Sequence, residues 1–140
     1  MAESGQPSAA SIVDRMMERD AFSRWLGIEV VHVTPGSCRL EMTVRPEMCN
    51  GFGIAHGGIG YSLADSALAF AANAHGRVAV SVKTSMTYLE KAAPGDRLTA
   101  FAEEIHAGKR LAHYHIEITK NEGMPVASFE GTVYLTSQKQ

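Results

Sequence analysis

A glycine-rich segment that opens into one long apolar helix restricts the fold more than any other feature of the sequence. Residues 50–60 read NGFGIAHGGIG, and apolar side chains then recur at a helical period over residues 59–74. A surface helix carries a polar face, but this helix is apolar on nearly all sides. We therefore predict that it is buried and that the rest of the chain wraps around it.

Strand patterns flank this predicted helix. Residues 37–45 alternate between apolar and polar side chains, as in an antiparallel strand with one buried face. One central helix and about six antiparallel strands predict an α+β domain whose sheet curls around the helix. The last four strands are predicted to form a meander through short, hairpin-like connections. The other predicted strands are residues 27–33, 78–89, 97–106, 111–120 and 125–136.

The rest of the sequence predicts one domain with a tail. Residues 1–11 are rich in Ser, Ala and Gly and are expected to be flexible, and residues 12–140 are expected to form a single domain. A short helix is predicted over residues 12–26, ending at Gly27. The net charge of −2 gives no reason to expect a nucleic-acid partner, and no apolar run is long enough to span a membrane.

We expect the two cysteines to form no disulfide and the histidines to form no metal site. Cys38 and Cys49 are expected to be free thiols in a cytoplasmic, reducing environment, because no signal-peptide pattern precedes them. Cys38 falls on the apolar face of its strand and is predicted to be a small core residue. His113 and His115 share a strand face, but two ligands without a third do not make a metal site.

The helix start and a single acidic residue carry the functional signal. Gly57 and Gly58 lie where unpaired N–H groups and the helix dipole favour a polarised carbonyl oxygen or an oxyanion. Asp65 is either a solvated residue on a polar stripe or a catalytic carboxylate. It follows Gly57 by eight residues, about 12 Å along a helix. If both act in one site, they come from different subunits with antiparallel helices, so a dimer is expected.

The segment from Asn50 through His-Gly-Gly to Asp65 and Asn73 resembles the signature of hotdog-fold acyl-coenzyme A (acyl-CoA) thioesterases. It is most similar to the PaaI-like branch of phenylacetic acid degradation, which includes thioesterase superfamily member 2. The resemblance covers residues 27–135, with Asn six residues before His56 and Asp nine residues after it. It implies a hotdog fold and thioester hydrolysis, with no cofactor other than the coenzyme A that is part of the substrate.

The resemblance also implies roles for individual residues. The Gly57 amide would polarise the thioester carbonyl, and Asp65 of the facing subunit would attack it or activate water. Asn50 would position the thioester or the water, and His56 would hold the loop or orient the substrate, with direct catalysis as the alternative. A strand hydroxyl used by some members matches Ser81, with Thr84 and Ser85 left as alternatives.

Substrate contacts and assembly follow from the same resemblance. Gly58 and Tyr61 lie near the expected acyl group, although Tyr61 equally fits a packing role. Basic residues near strand ends would contact the coenzyme A phosphates, and the candidates are Lys91, Lys109 and Arg110. Phenylacetyl or hydroxyphenylacetyl groups are the favoured acyl groups, followed by short and medium fatty acyl groups. A homodimer is the minimum assembly, and a homotetramer built as a dimer of dimers is expected.

Two other functions remain compatible with these residues. A hydratase or dehydratase of acyl thioesters would pair His56 with Asp65. A non-catalytic acyl-CoA-binding protein would use the same fold without turnover. Release of free thiol from an acyl-CoA distinguishes the thioesterase from both.

Overall fold

The computed structural model describes residues 7–140 and begins with two short helices, α1 (Ala9–Arg19) and α2 (Ala21–Leu26). The prediction of one continuous helix over residues 12–26 was wrong, because the helix is interrupted at Asp20. The Asp20 carboxylate accepts a hydrogen bond from the Ser23 amide at 2.9 Å and caps α2. Gly27 ends α2 in the left-handed region with φ 75°, as predicted. Helix α1 starts at Ala9, before the predicted end of the tail, and residues 1–6 lie outside the described residues.

The body of the protein is one six-stranded antiparallel sheet curled around one long helix, α3. This arrangement confirms the predicted α+β hotdog architecture. The sheet order is β1-β2-β4-β5-β6-β3. The elements are β1 (Glu29–Thr34), β2 (Ser37–Thr43), a 3₁₀ turn (Pro46–Met48), α3 (Gly57–Asn73), β3 (Arg77–Tyr88), β4 (Arg97–Ala107), β5 (Leu111–Lys120) and β6 (Met124–Lys139).

The predicted four-stranded meander is wrong in one respect. β4, β5 and β6 are consecutive neighbours, but β3 pairs with β6 at the edge of the sheet. The segment 89–96 is therefore a crossover from that edge to β4, which pairs with β2, and not a hairpin. Its turn residues indicate that the chain reverses, but the order of strands is decided by pairings between residues far apart in sequence.

Helix α3 fills the concave side of the sheet but leaves one stripe uncovered. Its buried side chains include Leu63, Leu68 and Phe70, which are 0–1% exposed. Gly58 and Asp65 lie on the opposite stripe and are exposed. The sheet therefore buries most of the helix, and part of one side remains open to another molecule.

Polar contacts fix both α3 and its neighbours. At its C-terminal end the buried Asn73 side chain donates to the Ala69 and Ala79 carbonyls and accepts from the Ala79 amide at 3.0 Å, which ties the helix to the start of β3. Halfway along, the Ser66 hydroxyl lies 2.8 Å from that of Ser23 on α2. These contacts leave the helix little freedom to slide against the sheet or the N-terminal helices.

The described cysteines are free, as predicted. Cys38 is fully buried with Leu40 and Met42 on the inner face of β2, and burial raises its pKa to about 12. It is therefore an inert core thiol. Within residues 7–140, no helix combines the length and apolar character that crossing a membrane requires.

Candidate active site

The N-terminus of α3 is capped by His56. Its Nδ1 accepts a hydrogen bond from the Gly58 amide at 3.0 Å, and its own amide donates to the Met48 carbonyl at 2.9 Å. The hydrogen bond at Nδ1 leaves Nε2 as the ring nitrogen that can donate to a ligand. The Gly58 amide is thus engaged within the protein. Gly57, the first helical residue, has no partner for its N–H within the helix, so it is the backbone donor left for a ligand.

Tyr88, at the end of β3, also lies at the helix start. Its hydroxyl donates to the Gly57 carbonyl at 2.9 Å. No sequence pattern singles it out, because it reaches Gly57 only through the packing of β3 against α3. Burial, and secondarily the neighbouring Tyr61, raise the pKa of Tyr88, so the hydroxyl keeps its proton at neutral pH.

A cavity of about 430 Å³ lies beside these residues. Its polar rim includes Asn50, His56 and Gly57, three of the predicted site residues. The Asn50 side chain shapes the rim by accepting from the Phe52 amide at 2.9 Å. Most of the wall is apolar, formed by Ile54, Ala55, Gly60, Met86, Leu89, Ala92, Leu98, Val126 and Ala127. A largely apolar cavity lined by a few polar groups, here also Tyr88, Glu90 and Lys91, is typical of a small-molecule site.

Tyr61, a predicted substrate contact, packs against the sheet and is not one of the residues that line this cavity. Its ring meets Phe129 edge-on with centroids 5.2 Å apart, and its hydroxyl is hydrogen-bonded to Thr84. The predicted packing role therefore has direct contacts in the structure. The wall nearest the helix start is formed instead by Gly60 and Met86.

Asp65 lies on the uncovered stripe of α3, away from the cavity of its own chain. Partial burial of its carboxyl, and secondarily the negative charge of Asp20, raise the pKa of Asp65. Asp20 is held by the Ser23 hydroxyl, 2.6 Å from its carboxylate. Asp65 is thus a carboxylate with altered acidity on an open helix face, and one chain does not bring it to Gly57.

A β-bulge decides which hydroxyls of β3 face the helix. Ser81 is opposite the buried Val133, and Thr84 is opposite Gly131, with the register shifting between Ser81 and Lys83. Because directly opposed residues share a face, Ser81 and Thr84 are both on the helix side of the sheet. Ser85 is opposite the exposed Glu130 and points the other way. The Thr84 hydroxyl is hydrogen-bonded to that of Tyr61, whereas Ser81 is exposed at the edge of the sheet.

The predicted phosphate contacts lie at opposite ends of the sheet. Lys91 lines the cavity beside Gly57. Lys109 and Arg110 lie in the turn after β4, and residues of that turn share a small cavity with His75 at the far end of α3. A single chain therefore does not gather these three basic residues.

The two histidines of β5 are engaged in local contacts on the exposed face of the sheet. The His113 ring is 3.0 Å from the Thr132 hydroxyl, and His115 is 3.6 Å from the Glu117 carboxylate. Across the described part of the chain, no three His, Cys, Asp or Glu side chains group as metal ligands do.

Comparison with known proteins relates this geometry to one family. Residues 52–127 match the thioesterase superfamily. The acyl-coenzyme A thioesterase PaaI of Escherichia coli is 40% identical over 83% of this chain and 83% of its own length. Human acyl-coenzyme A thioesterase 13 is 32% identical over 91% of this chain and 94% of its own. The structure of the E. coli PaaI protein from the phenylacetic acid degradation operon superposes with a TM-score of 0.91 at 36% identity, covering 94% of this chain and 95% of that one.

Proposed function

Because the chain belongs to the thioesterase superfamily, we propose that it is an enzyme that hydrolyses the thioester bond of acyl-CoA substrates. The observation that carries the proposal is the arrangement along α3. Its first N–H, at Gly57, adjoins an apolar cavity, and a carboxylate of raised pKa, Asp65, lies on the helix face that the sheet leaves open. An electrophile-activating donor and an ionisable group are the two components that acyl transfer requires.

The proposed site is shared between two subunits. Asp65 lies about 12 Å along the helix from Gly57, too far to reach a carbonyl bound at that amide. Two α3 helices packed antiparallel through their uncovered stripes would place Asp65 of the partner subunit opposite Gly57. The exposed edge strand β3, with Val80 and Val82 about half exposed, would be covered in the same assembly. A homodimer is therefore the minimum active unit in this proposal, and two dimers would make the tetramer.

The chemistry follows from these positions. The thioester carbonyl oxygen accepts from the Gly57 N–H, and negative charge that develops on it is stabilised by the N-terminus of α3. Asp65 then acts in one of two ways. It adds to the carbonyl carbon, expels the coenzyme A thiolate and leaves an anhydride that water hydrolyses, or it takes a proton from a water that adds instead. In this proposal Ser81, on the helix side of β3, and Asn50 hold that water or the thioester.

The cavity supports an acyl group with apolar bulk. Its walls are apolar apart from the rim, and a volume of about 430 Å³ is within the range of small-molecule sites. Phenylacetyl and hydroxyphenylacetyl groups fit this chemistry, as do short and medium fatty acyl chains. Lys91, at the rim, would contact the phosphates of coenzyme A, and Lys109 and Arg110 of the partner subunit would contact them as well.

The proposal is tested by thiol release from aryl- and fatty-acyl-CoA substrates, comparing the wild type with Asp65→Asn. The substitution keeps the shape but removes the charge, and a loss of at least about a hundredfold in kcat is expected, roughly 2.7 kcal/mol of barrier. Asp14→Asn, the same change on α1, is the matched control and should retain full rate. Hydration of an enoyl substrate without thiol release would instead support the hydratase, and tight binding without turnover the binding protein.

A further inference from the structure

We infer that Tyr88 is a positioning residue that holds the Gly57 backbone in place for catalysis; this inference rests on the proposed function. Two consecutive glycines, Gly57 and Gly58, form the start of α3, and glycine has the largest conformational freedom of any residue. A donor that stabilises developing charge works only if it is already fixed before the reaction. The helix start therefore needs external restraints, and Tyr88 is one of them.

The contact has two components. The Tyr88 hydroxyl donates to the Gly57 carbonyl at 2.9 Å, which fixes the peptide plane that follows the Gly57 Cα. The tyrosine ring packs against that same Cα. A Cβ at Gly57 would lie 3.2 Å from the Tyr88 oxygen and 3.3 Å from its Cζ. The ring and the hydroxyl together leave space for glycine alone without adjustment.

This packing accounts for a glycine that backbone conformation does not require. Gly57 is not among the described glycines with a positive φ, so an L-residue could adopt its backbone angles. Its missing side chain is explained by Tyr88, which occupies the space. Gly58 differs, because a Cβ there would instead approach the ring of its cap, His56.

The restraints act on both sides of the donor. The His56 amide donates a hydrogen bond to the Met48 carbonyl, and His56 Nδ1 accepts one from the Gly58 amide. These two hydrogen bonds fix the chain before and after Gly57. Tyr88 adds a bond to the carbonyl oxygen of the Gly57–Gly58 peptide, whose N–H is the one that His56 holds, so this peptide is restrained on both edges. Loss of the Tyr88 hydroxyl should therefore loosen the Gly57 N–H without unfolding the helix.

The test compares Tyr88→Phe, which keeps the ring and removes the hydroxyl, with Tyr134→Phe on β6 as the matched control. We expect kcat to fall about tenfold with KM within about twofold of wild type, the effect of one lost positioning hydrogen bond. Hydrogen–deuterium exchange of residues 56–61 should become faster, while the control changes neither quantity. Melting curves of both variants establish that they are folded.

Three results would overturn the inference. A rise in KM at unchanged kcat would make Tyr88 a substrate contact, and unchanged exchange at the helix start would remove its restraining role. If Tyr88→Phe does not fold, Gly57→Ala takes its place, since the new Cβ crowds the Tyr88 ring and hydroxyl and should disturb the contact; unchanged exchange there would also contradict the contact. If exchange accelerates but the wild type releases no thiol, the positioning contact stands and the proposed function fails.

Discussion

Asp65 and Gly57 lie eight residues apart on one helix, and only Gly57 reaches the apolar cavity of its own chain. The helix thus carries a donor at its start and a carboxylate on its open face, each without the other within one subunit. Each residue can therefore be mutated by itself, and the two variants can then be combined in one mixed dimer.

Replacing Gly57 by proline removes the donor while leaving the helix intact. Proline is favoured at the first helical position, and His56, with φ −58° and ψ 140°, already has the conformation required before proline. We expect Gly57→Pro to lower kcat by about a hundredfold, the cost of an oxyanion donor. Gly57→Ala adds the same Cβ but keeps the N–H, so it accounts for the contact of that Cβ with Tyr88. Equal losses in the two variants would contradict a role for the amide.

Mixing two inactive variants should restore activity if the site is shared. In a mixed dimer of Asp65→Asn and Gly57→Pro, one site receives both mutations and the other receives neither. Co-refolded protein should recover roughly a quarter of wild-type activity, since half of randomly formed dimers are mixed and each has one intact site. The separately refolded variants are the controls. No recovery in a mixture shown to contain mixed dimers would place both residues in the same subunit.

Asp20 should influence the pH dependence of hydrolysis. Its negative charge is the second cause of the raised pKa of Asp65, so Asp20→Asn should lower that pKa and extend activity to lower pH. Asparagine still caps α2, so the fold should be retained. The measurement is the acidic limb of kcat/KM against pH, with Asp14→Asn as control. An unmoved limb would mean that Asp20 does not act on Asp65 in the assembled enzyme.

The same pKa shift predicts a stability gain for the inactive variant. The folded state raises the pKa of Asp65, so it disfavours the ionised form relative to the unfolded chain. The stability that the protonated form contributes is lost as the pH rises from the ordinary aspartate pKa through the raised value. Asp65→Asn should therefore melt at a higher temperature than wild type at pH 7, with the difference vanishing in acid. A lower melting temperature at pH 7 would contradict this.

Gly131 is predicted to be essential for the packing of the sheet on α3. A Cβ there would lie 2.6 Å from the buried Leu68 side chain, so Gly131→Ala must displace that side chain or the helix that carries it. We expect a loss of about 1–3 kcal/mol in the free energy of unfolding, the usual cost of overpacking. Gly51→Ala, where a Cβ meets nothing within 4 Å, is the control for chemical denaturation and should be near neutral.

Local patterns predicted most elements of this fold. The alternation around Leu40 and Met42 identified β2, and the apolar helical period identified α3, because both signals depend on which side chains must be buried. The place of β3 beside β6 could not be predicted, since it depends on pairing between residues that are far apart in the sequence, such as Tyr88 with Ala127 and Arg77 with Lys139. The break at Asp20 was missed because a capping side chain can interrupt a helix within a continuous apolar pattern.

The candidate site was also predicted only in part, because some of its residues meet only in the folded chain. Glycines at a helix start and an isolated aspartate are visible in the sequence, and the structure places Gly57 at that start and Asp65 on the open stripe. Tyr88 and Asp20 were missed, since each reaches its neighbour only through tertiary packing. The hydrogen bond from the Gly58 amide to His56 Nδ1 is likewise a contact that no residue pattern specifies.

The bulge of β3 affects how the sequences of relatives can be aligned. Because the register shifts between Ser81 and Lys83, hydroxyls three positions apart, Ser81 and Thr84, face the same side. In a regular strand, residues separated by an odd number face opposite sides. A relative that lacks the bulge would therefore present its hydroxyl one residue earlier or later for the same geometry. Equivalent hydroxyls in this strand are therefore identified by the face of the sheet on which they lie and not by their position in a sequence alignment. A one-residue gap in this strand can leave the function unchanged.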